Sequence, residues 1–345
     1  MSNSLTGVLL INLGTPATPT VSAVRKFLRE FLADPRVIDI PAPLRYLILY
    51  GFILPTRPFK VAHAYKAIWL ADGSPLMVYS RNLQAALTQR LAHNSYVISL
   101  GMRYGKPSIA DGLAELMEHK CNRIIVVPLF PQYSSAASGS AIAKTLDVLS
   151  QQWNIPQLTI LDDFFNHAQF IYAQAQVIKQ KLANRKPDLV LFSYHGLPER
   201  HVSKSGCVAH CDRLNPCPAI ERDNRYCYRA QCYATSHALA QALDLSAEKY
   251  QTSFQSRLGR TPWIKPYSDE LLPQLYAQGI RHLAIACPSF VADCLETLEE
   301  VGIRAQEQWH ELGGNELTLI PCLNDDPVWV NALATIITEA QYNPA

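Results

Sequence analysis

The chain has 345 residues, of which 48% are hydrophobic and 17% charged, with a formal net charge of +2. That length can bury a full core in one large domain or two smaller ones, and so small a charge gives no electrostatic case for a nucleic-acid partner. The start Met1-Ser2-Asn3-Ser4 lacks the charged and apolar regions of a signal peptide, so a cytoplasmic location is expected.

In chain order, the apolar run Gly7 to Leu13 predicts an opening strand, and helical periodicity follows around 21–33. Pro43 to Pro55 is very apolar but short and bounded by prolines, whereas a bilayer span takes ~20 residues. Helix 81–92, strand 96–100, helix 108–119 and strand 123–128 come next. Gly101 to Lys106 superficially resembles a phosphate loop, but it is one residue short between its glycines and Pro107 replaces the Ser or Thr after the lysine, so that reading is rejected. The second half repeats the pattern, with strand 188–194, helix 232–243, strand 250–255, helix 268–278, strand 282–286 and helix 293–308, and the chain closes on a helix at 327–340. Alternating strands and helices predict parallel sheets covered on both faces. Val127-Pro128-Leu129-Phe130 and Ala286-Cys287-Pro288-Ser289-Phe290 end their strands alike. The expectation is therefore an α/β protein of two similar Rossmann-like domains, 1–155 and 156–326, facing each other across a cleft, with 327–345 packing back on the first.

The chemistry concentrates at two strand ends. Leu189-Val190-Leu191-Phe192 stops at Ser193-Tyr194-His195-Gly196-Leu197-Pro198, which places a histidine at the carboxyl end of a buried strand, where open α/β sheets bind ligands. Beyond strand 282–286, Asp293, Glu296 and Glu300 fall at i, i+3 and i+7, one face of an α-helix. A neutral imidazole facing carboxylates can accept protons and handle a divalent metal. The residues alone leave plainer readings open: Asp293-x-x-Glu296 also fits a capping box, and His195 also fits a satisfied core histidine.

Ser193 to Pro198 and Phe290 to Glu300 resemble the two signature regions of ferrochelatases, which insert ferrous iron into a porphyrin. The resemblance continues in register through Leu9 to Pro16, Gly73-Ser74-Pro75-Leu76, Gly101 to Tyr104, Pro128 to Ser134, Phe254 to Arg257 and Pro262-Trp263. It implies a chelatase-like fold with a porphyrin cleft, and a lyase that inserts Fe²⁺ into protoporphyrin IX with release of two protons, the last step of haem synthesis. It assigns the proton and iron chemistry to His195 and Glu296, and a polar path for protons or metal to Asp293 and Glu300. Porphyrin contacts carry over to Leu13, Arg57, Tyr65, Ser74, Arg103, Tyr133, Trp263 and Phe290, with Arg57, Tyr65 and Ser74 matching the propionate set. Between Tyr65 and Ser74 the chain departs from animal members by running two residues longer. For the apolar and aromatic positions, core packing is the plain alternative.

The apolar stretch, about 43–62, matches the lip over the family's active site and implies peripheral membrane contact; the alternative is an amphipathic core helix with Arg45 exposed. The insert at about 200–232 departs from the animal pattern. It holds Cys207, Cys211, Cys217, Cys227 and Cys232, five of nine cysteines, with His201 and His210 nearby. Four thiolates can hold a [2Fe–2S] cluster or a structural Zn²⁺, and some bacterial ferrochelatases place such cysteines internally. One cysteine is then spare, Cys227 or Cys232, and unligated thiols remain an alternative. Two other functions fit the same features: a chelatase for coproporphyrin or sirohydrochlorin, and a non-catalytic porphyrin or haem carrier. The sequence carries no signal of oligomeric state.

Overall fold

The structure is a computed structural model that describes residues 5–92, 95–206, 217–257, 259 and 261–342. In chain order its elements are β1 (Thr6–Gly14), α1 (Val21–Ala33), α2 (Ala42–Ile48), α3 (Leu54–Ile68), α4 (Pro75–Arg90), β2 (Tyr96–Tyr104), α5 (Ile109–Glu118), β3 (Arg123–Pro128), α6 (Ser140–Ser150) and β4 (Gln157–Ile160). There follow α7 (Ala168–Leu182), β5 (Leu189–His195), α8 (Glu199–Lys204), α9 (Tyr228–Ala242), β6 (Tyr250–Gln255), α10 (Ser268–Ala277), β7 (His282–Ala286), α11 (Gln306–Glu311), β8 (Glu316–Leu319) and α12 (Pro327–Tyr342). The chain forms two units, one of residues 1–130, 135–163 and 325–345, the other of residues 131–134 and 164–324.

The first unit is built on a four-stranded sheet of order β2-β1-β3-β4 whose neighbours all pair in parallel. Its central strand is apolar on both faces because helices cover both, so Val8, Leu9, Leu10 and Ile11 are fully buried. Leu113 and Leu116 of α5 pack with Leu9 and Ile11 in one core cluster. The α5 helix starts where the sequence dictates, at a capping box in which Ser108 and Asp111 satisfy each other's backbone amides. Gly14 ends β1 with φ +110°, and a Cβ there would overlap the Tyr104 carbonyl, so the position admits only glycine. The closing helix α12 packs on α4 and β3 of this unit.

The segment α2–α3, joined by a π-helical turn at Leu49–Ile53, inverts the usual pattern of a surface helix. Arg45 is buried, its Nη1 donating to the carbonyl of Ile40 at 3.0 Å, so it satisfies backbone of the preceding turn. Leu44, Leu47, Tyr50, Phe52 and Phe59 face outward, Phe52 at 67% exposure. This corrects the core-helix alternative, which needed Arg45 outside and the apolar residues inside. Among the described residues no helix is long and apolar enough to cross a membrane.

The second unit repeats the topology as β6-β5-β7-β8, again all parallel. Leu191 and Ile285 pack with Leu272 and Leu275 of α10 and with Trp309 in its core. The chain leaves β5 toward β6 on one side and returns to β7 on the other, so a crevice opens between the carboxyl ends of β5 and β7. His195 lies at the end of β5, and Cys287 to Phe290 leave β7 beside it. The helix expected from 293 starts later: Glu296–Ala305 is a π-helical stretch continued by α11.

Candidate active site

His195 pairs in register with Gln255, the last residue of β6. The next amide, Gly196, donates to the Gln255 carbonyl at 2.7 Å. A Cβ on Gly196 would stand 2.8 Å from that oxygen and 3.3 Å from Cε3 of Trp263, so only glycine lets the chain turn here. The turned loop is then pinned to 262–264: the Glu199 amide donates to the Pro262 carbonyl at 3.0 Å, and the Ile264 amide donates to the Leu197 carbonyl at 2.9 Å.

The half-buried imidazole has Nδ1 2.6 Å from the Gly196 carbonyl. A carbonyl only accepts, so Nδ1 carries the hydrogen and, in the neutral ring, Nε2 presents a lone pair. The rings of Trp263 and Phe290 flank it, with centroids 6.4 Å and 6.3 Å from that of the imidazole. The bond and the aromatic neighbours exclude a histidine satisfied at both nitrogens by the core, and leave one nitrogen for chemistry.

Gln255, a residue whose role the sequence did not reveal, ties the histidine strand to the carboxylates. Its Oε1 accepts from the Ser193 hydroxyl at 2.6 Å and its Nε2 donates to the Glu296 carbonyl at 2.8 Å. Burial pushes the Cys294 thiol up, and the neighbouring Glu296 carboxylate adds to the rise. One turn on, Glu300 accepts from the Ser256 amide at 2.9 Å and also from the Ser256 hydroxyl. Ser256 holds this position with φ +69°, a left-handed conformation costly for a non-glycine residue and sustained here by the two bonds. Burial pushes the Glu300 carboxyl above the usual carboxylate range, against the Ser256 bond and the positive Arg304; His195 lowers it and Glu296 raises it, so the three groups share one electrostatic environment.

Asp293 does not continue that row. The i, i+3, i+7 face presupposed an α-helix from 293, whereas the stretch is π-helical from Glu296 and is preceded by Leu295 with no side-chain cap. Asp293 is 3% exposed, and its oxygens accept from the Thr297 hydroxyl at 2.9 Å, the Cys322 amide at 3.3 Å and Asn324 Nδ2 at 2.7 Å. Its own amide donates to Asn324 Oδ1 at 2.8 Å. The geometry is that of an anchor fixing the start of the carboxylate helix to the loop after β8, and the capping-box alternative is not what forms.

Among the other expected positions, Tyr133 lies in the second unit, its amide donating to Gln231 Oε1 at 2.6 Å and its ring edge-on to Tyr226 at 5.1 Å. The first unit holds Leu13, half-buried near the end of β1, and Arg57, exposed on α3. Tyr65 is buried edge-on against Trp69 at 5.9 Å, and Ser74 caps α4, its Oγ accepting from the Met77 amide at 3.3 Å. Arg103 is held by Asp34 through Nη2 at 2.6 Å and by the Ser140 hydroxyl through Nε at 2.7 Å. Burial opposes ionisation of Asp34, but bonds from Ser140, the Arg36 amide and Tyr104, with the Arg103 charge, hold its carboxyl below the usual range.

Of the cysteines in the insert, Cys207 and Cys211 lie outside the described residues, as does His210. Cys227 precedes α9 and Cys232 sits on it, both fully buried. Burial pushes the Cys232 thiol up, and the nearby Cys227 and Cys217 raise it further, so three thiols lie near this end of α9. Cys217 Sγ accepts from Arg229 Nη1 at 2.6 Å, a contact that suits a thiolate. Among the described residues no three His, Cys, Asp or Glu side chains converge closely enough to hold a metal ion.

The fold is shared with solved chelatases at low identity. SirB from Bacillus subtilis with Fe3+ superposes with a TM-score of 0.53 at 13% identity, covering 97% of this chain and 95% of that one. The sirohydrochlorin chelatase SirB from Bacillus subtilis subspecies spizizenii in complex with cobalt gives a TM-score of 0.53 at 10% identity, covering 99% and 97%. Sequence relatives are far nearer. A ferrochelatase of Legionella pneumophila (strain Lens) is 52% identical over 333 residues, 96% of this chain and 98% of the relative. One of Coxiella burnetii (strain Dugway 5J108-111) is 50% identical over 334 residues, 96% and 93%. The ferrochelatase family model matches residues 5–341, and with these relatives it shows that the chain belongs to the ferrochelatase family, lyase-type metal chelatases of haem synthesis that take ferrous iron and a porphyrin as substrates.

Proposed function

We propose that this chain inserts Fe²⁺ into protoporphyrin IX and releases two protons, completing protohaem. The observation that carries the reading is the His195 imidazole, whose Nδ1 is committed to the Gly196 carbonyl while Nε2 keeps its lone pair beside Trp263 and Phe290. A pyrrole N–H must lose its proton before iron can enter, and a neutral imidazole nitrogen is a competent acceptor near neutral pH. Glu296 and the high-pKa Glu300 share its electrostatic environment and serve as relay or transient iron ligands. Imidazole and carboxylate hold Fe²⁺ weakly enough to pass it to four ring nitrogens. Flat aromatic contacts supply the binding energy that bends the macrocycle.

Protoporphyrin is favoured over coproporphyrin by the exposed apolar residues of α2–α3, because a substrate with four propionates calls for a basic rim. Arg57, Tyr65 and Ser74 stay in the proposal as propionate contacts, and Leu13, Arg103 and Tyr133 as macrocycle contacts, on the strength of the resemblance. The same exposed face supports peripheral contact with a membrane. The test is iron insertion measured side by side on protoporphyrin, coproporphyrin and sirohydrochlorin. The proposal requires the highest kcat/KM on protoporphyrin, and a higher value on either of the others overturns it.

For the insert we propose a [2Fe–2S] cluster held by Cys217 and Cys227 with Cys207 and Cys211. Arg229 beside Cys217 fits a thiolate donor set, and Cys232 is taken as the spare thiol because it sits inside α9 whereas Cys227 precedes the helix. Bound there, the cluster would act as a structural cross-link. Anaerobic protein from iron-fed cells should contain about two irons and two sulfides per chain, and one zinc with no sulfide would replace the cluster by a structural Zn²⁺.

A further inference from the structure

The backbone of His195 has lost its sheet partner on one side. In a parallel strand the N–H and C=O of one residue point the same way, and those of the next point opposite. Gly196 turns its amide to β6, where the Gln255 carbonyl takes it. His195 therefore turns both groups toward β7, yet the β5–β7 ladder ends at Phe192 and Ala286. Two buried polar groups at the reacting residue need other partners.

Two side chains supply them. The His195 amide donates to Ser289 Oγ at 3.1 Å, and the Tyr228 hydroxyl donates to the His195 carbonyl at 2.8 Å. The two bonds clamp the peptide groups on both sides of the His195 Cα, one from α9 and one from the turn after β7. The Gly196 carbonyl that fixes Nδ1 lies one peptide beyond. Burial holds the Tyr228 phenol well above its ordinary pKa, so it stays a neutral donor.

We propose that Tyr228 is a positioning residue for iron insertion, which holds His195 so that Nδ1 stays on the Gly196 carbonyl and Nε2 stays a lone pair. This rests on the reading of His195 as proton acceptor.

The experiment compares Tyr228→Phe with wild type in iron insertion into protoporphyrin and in ¹⁵N spectra of histidine-labelled protein, the His195 signals being identified by their loss in His195→Ala. Wild type should show the Nδ1-protonated tautomer. In Tyr228→Phe the two ring-nitrogen shifts should move toward each other as tautomers mix, and kcat should fall about tenfold with KM for porphyrin within about twofold. Ser289→Ala removes the other of the two bonds and should move the same signals, so a folding defect in one variant leaves the other decisive. Unchanged shifts in a folded variant, with or without a change in rate, overturn the inference. Shifts that move while His195→Ala retains full activity leave the clamp standing and sink the functional reading instead.

Discussion

Replacing Asp293 by Asn separates an anchor from a member of the proton or metal path. The carboxylate accepts from Thr297, the Cys322 amide and Asn324 Nδ2, and the Asp293 amide binds Asn324 Oδ1. An amide in its place must turn an NH₂ toward one set of donors. Facing Asn324, it meets another NH₂, and flipping Asn324 gives up the bond from the residue 293 amide. One buried donor is thus left unpaired at about 1–3 kcal/mol, and a charge-assisted bond is lost at about 1.5–3 kcal/mol. A total of about 2.5–6 kcal/mol corresponds to a fall in Tm of roughly 5–24 °C for a unit of this size. The assay is a thermal scan and iron-insertion rate on the same preparation, the rate taken at 20 °C or below, where the variant stays folded. The anchor reading expects the rate per folded molecule within about threefold of wild type, well short of the ~10²-fold that loss of a general acid or base costs. A variant with wild-type Tm and a rate lowered a hundredfold would refute it and restore Asp293 to the proton path.

Glu296→Gln should lower turnover by about 10²-fold with little change in Tm, since Glu296 is half-buried, lies near enough to raise the Glu300 carboxyl pKa, and caps no helix; a purely stabilising role would give the reverse. Glu300 carries a raised carboxyl pKa, so its contribution to stability is fully present below the ordinary value of 4.5 and is lost as pH rises through the folded value. Urea unfolding should therefore show Glu300→Gln gaining stability relative to wild type between pH 4 and pH 8, and a difference independent of pH contradicts the assigned burial. Gly196→Ala places a Cβ 2.8 Å from the Gln255 carbonyl, and should cost about 1–3 kcal/mol in stability and lower the insertion rate by moving the His195 loop; a silent substitution would mean the loop is free to shift.

The central strands were legible because a strand buried on both faces is a near-continuous apolar run, as in Val8 to Ile11 and Leu189 to Phe192. The edge strands β4 and β8, four residues each and partly exposed, carry no such run and were not foreseen. Nor were α6 and α7. The first unit runs on through β4 to residue 163. His195 and Glu296 stood out as reactive types at strand and helix ends. Their geometry did not, because a π-helical register, a tautomer fixed by Gly196 and the link through Gln255 depend on partners distant in sequence. The anchoring of Asp293 was hidden for the same reason, since Asn324 lies 31 residues away.

The most direct test of the account is His195→Ala, assayed for iron insertion into protoporphyrin and for porphyrin binding by fluorescence quenching. The account predicts a rate at least ~10²-fold below wild type, because the Nε2 lone pair is lost, with a porphyrin Kd within about threefold, because the aromatic contacts remain. A folded His195→Ala protein that keeps more than about a tenth of the wild-type rate contradicts it.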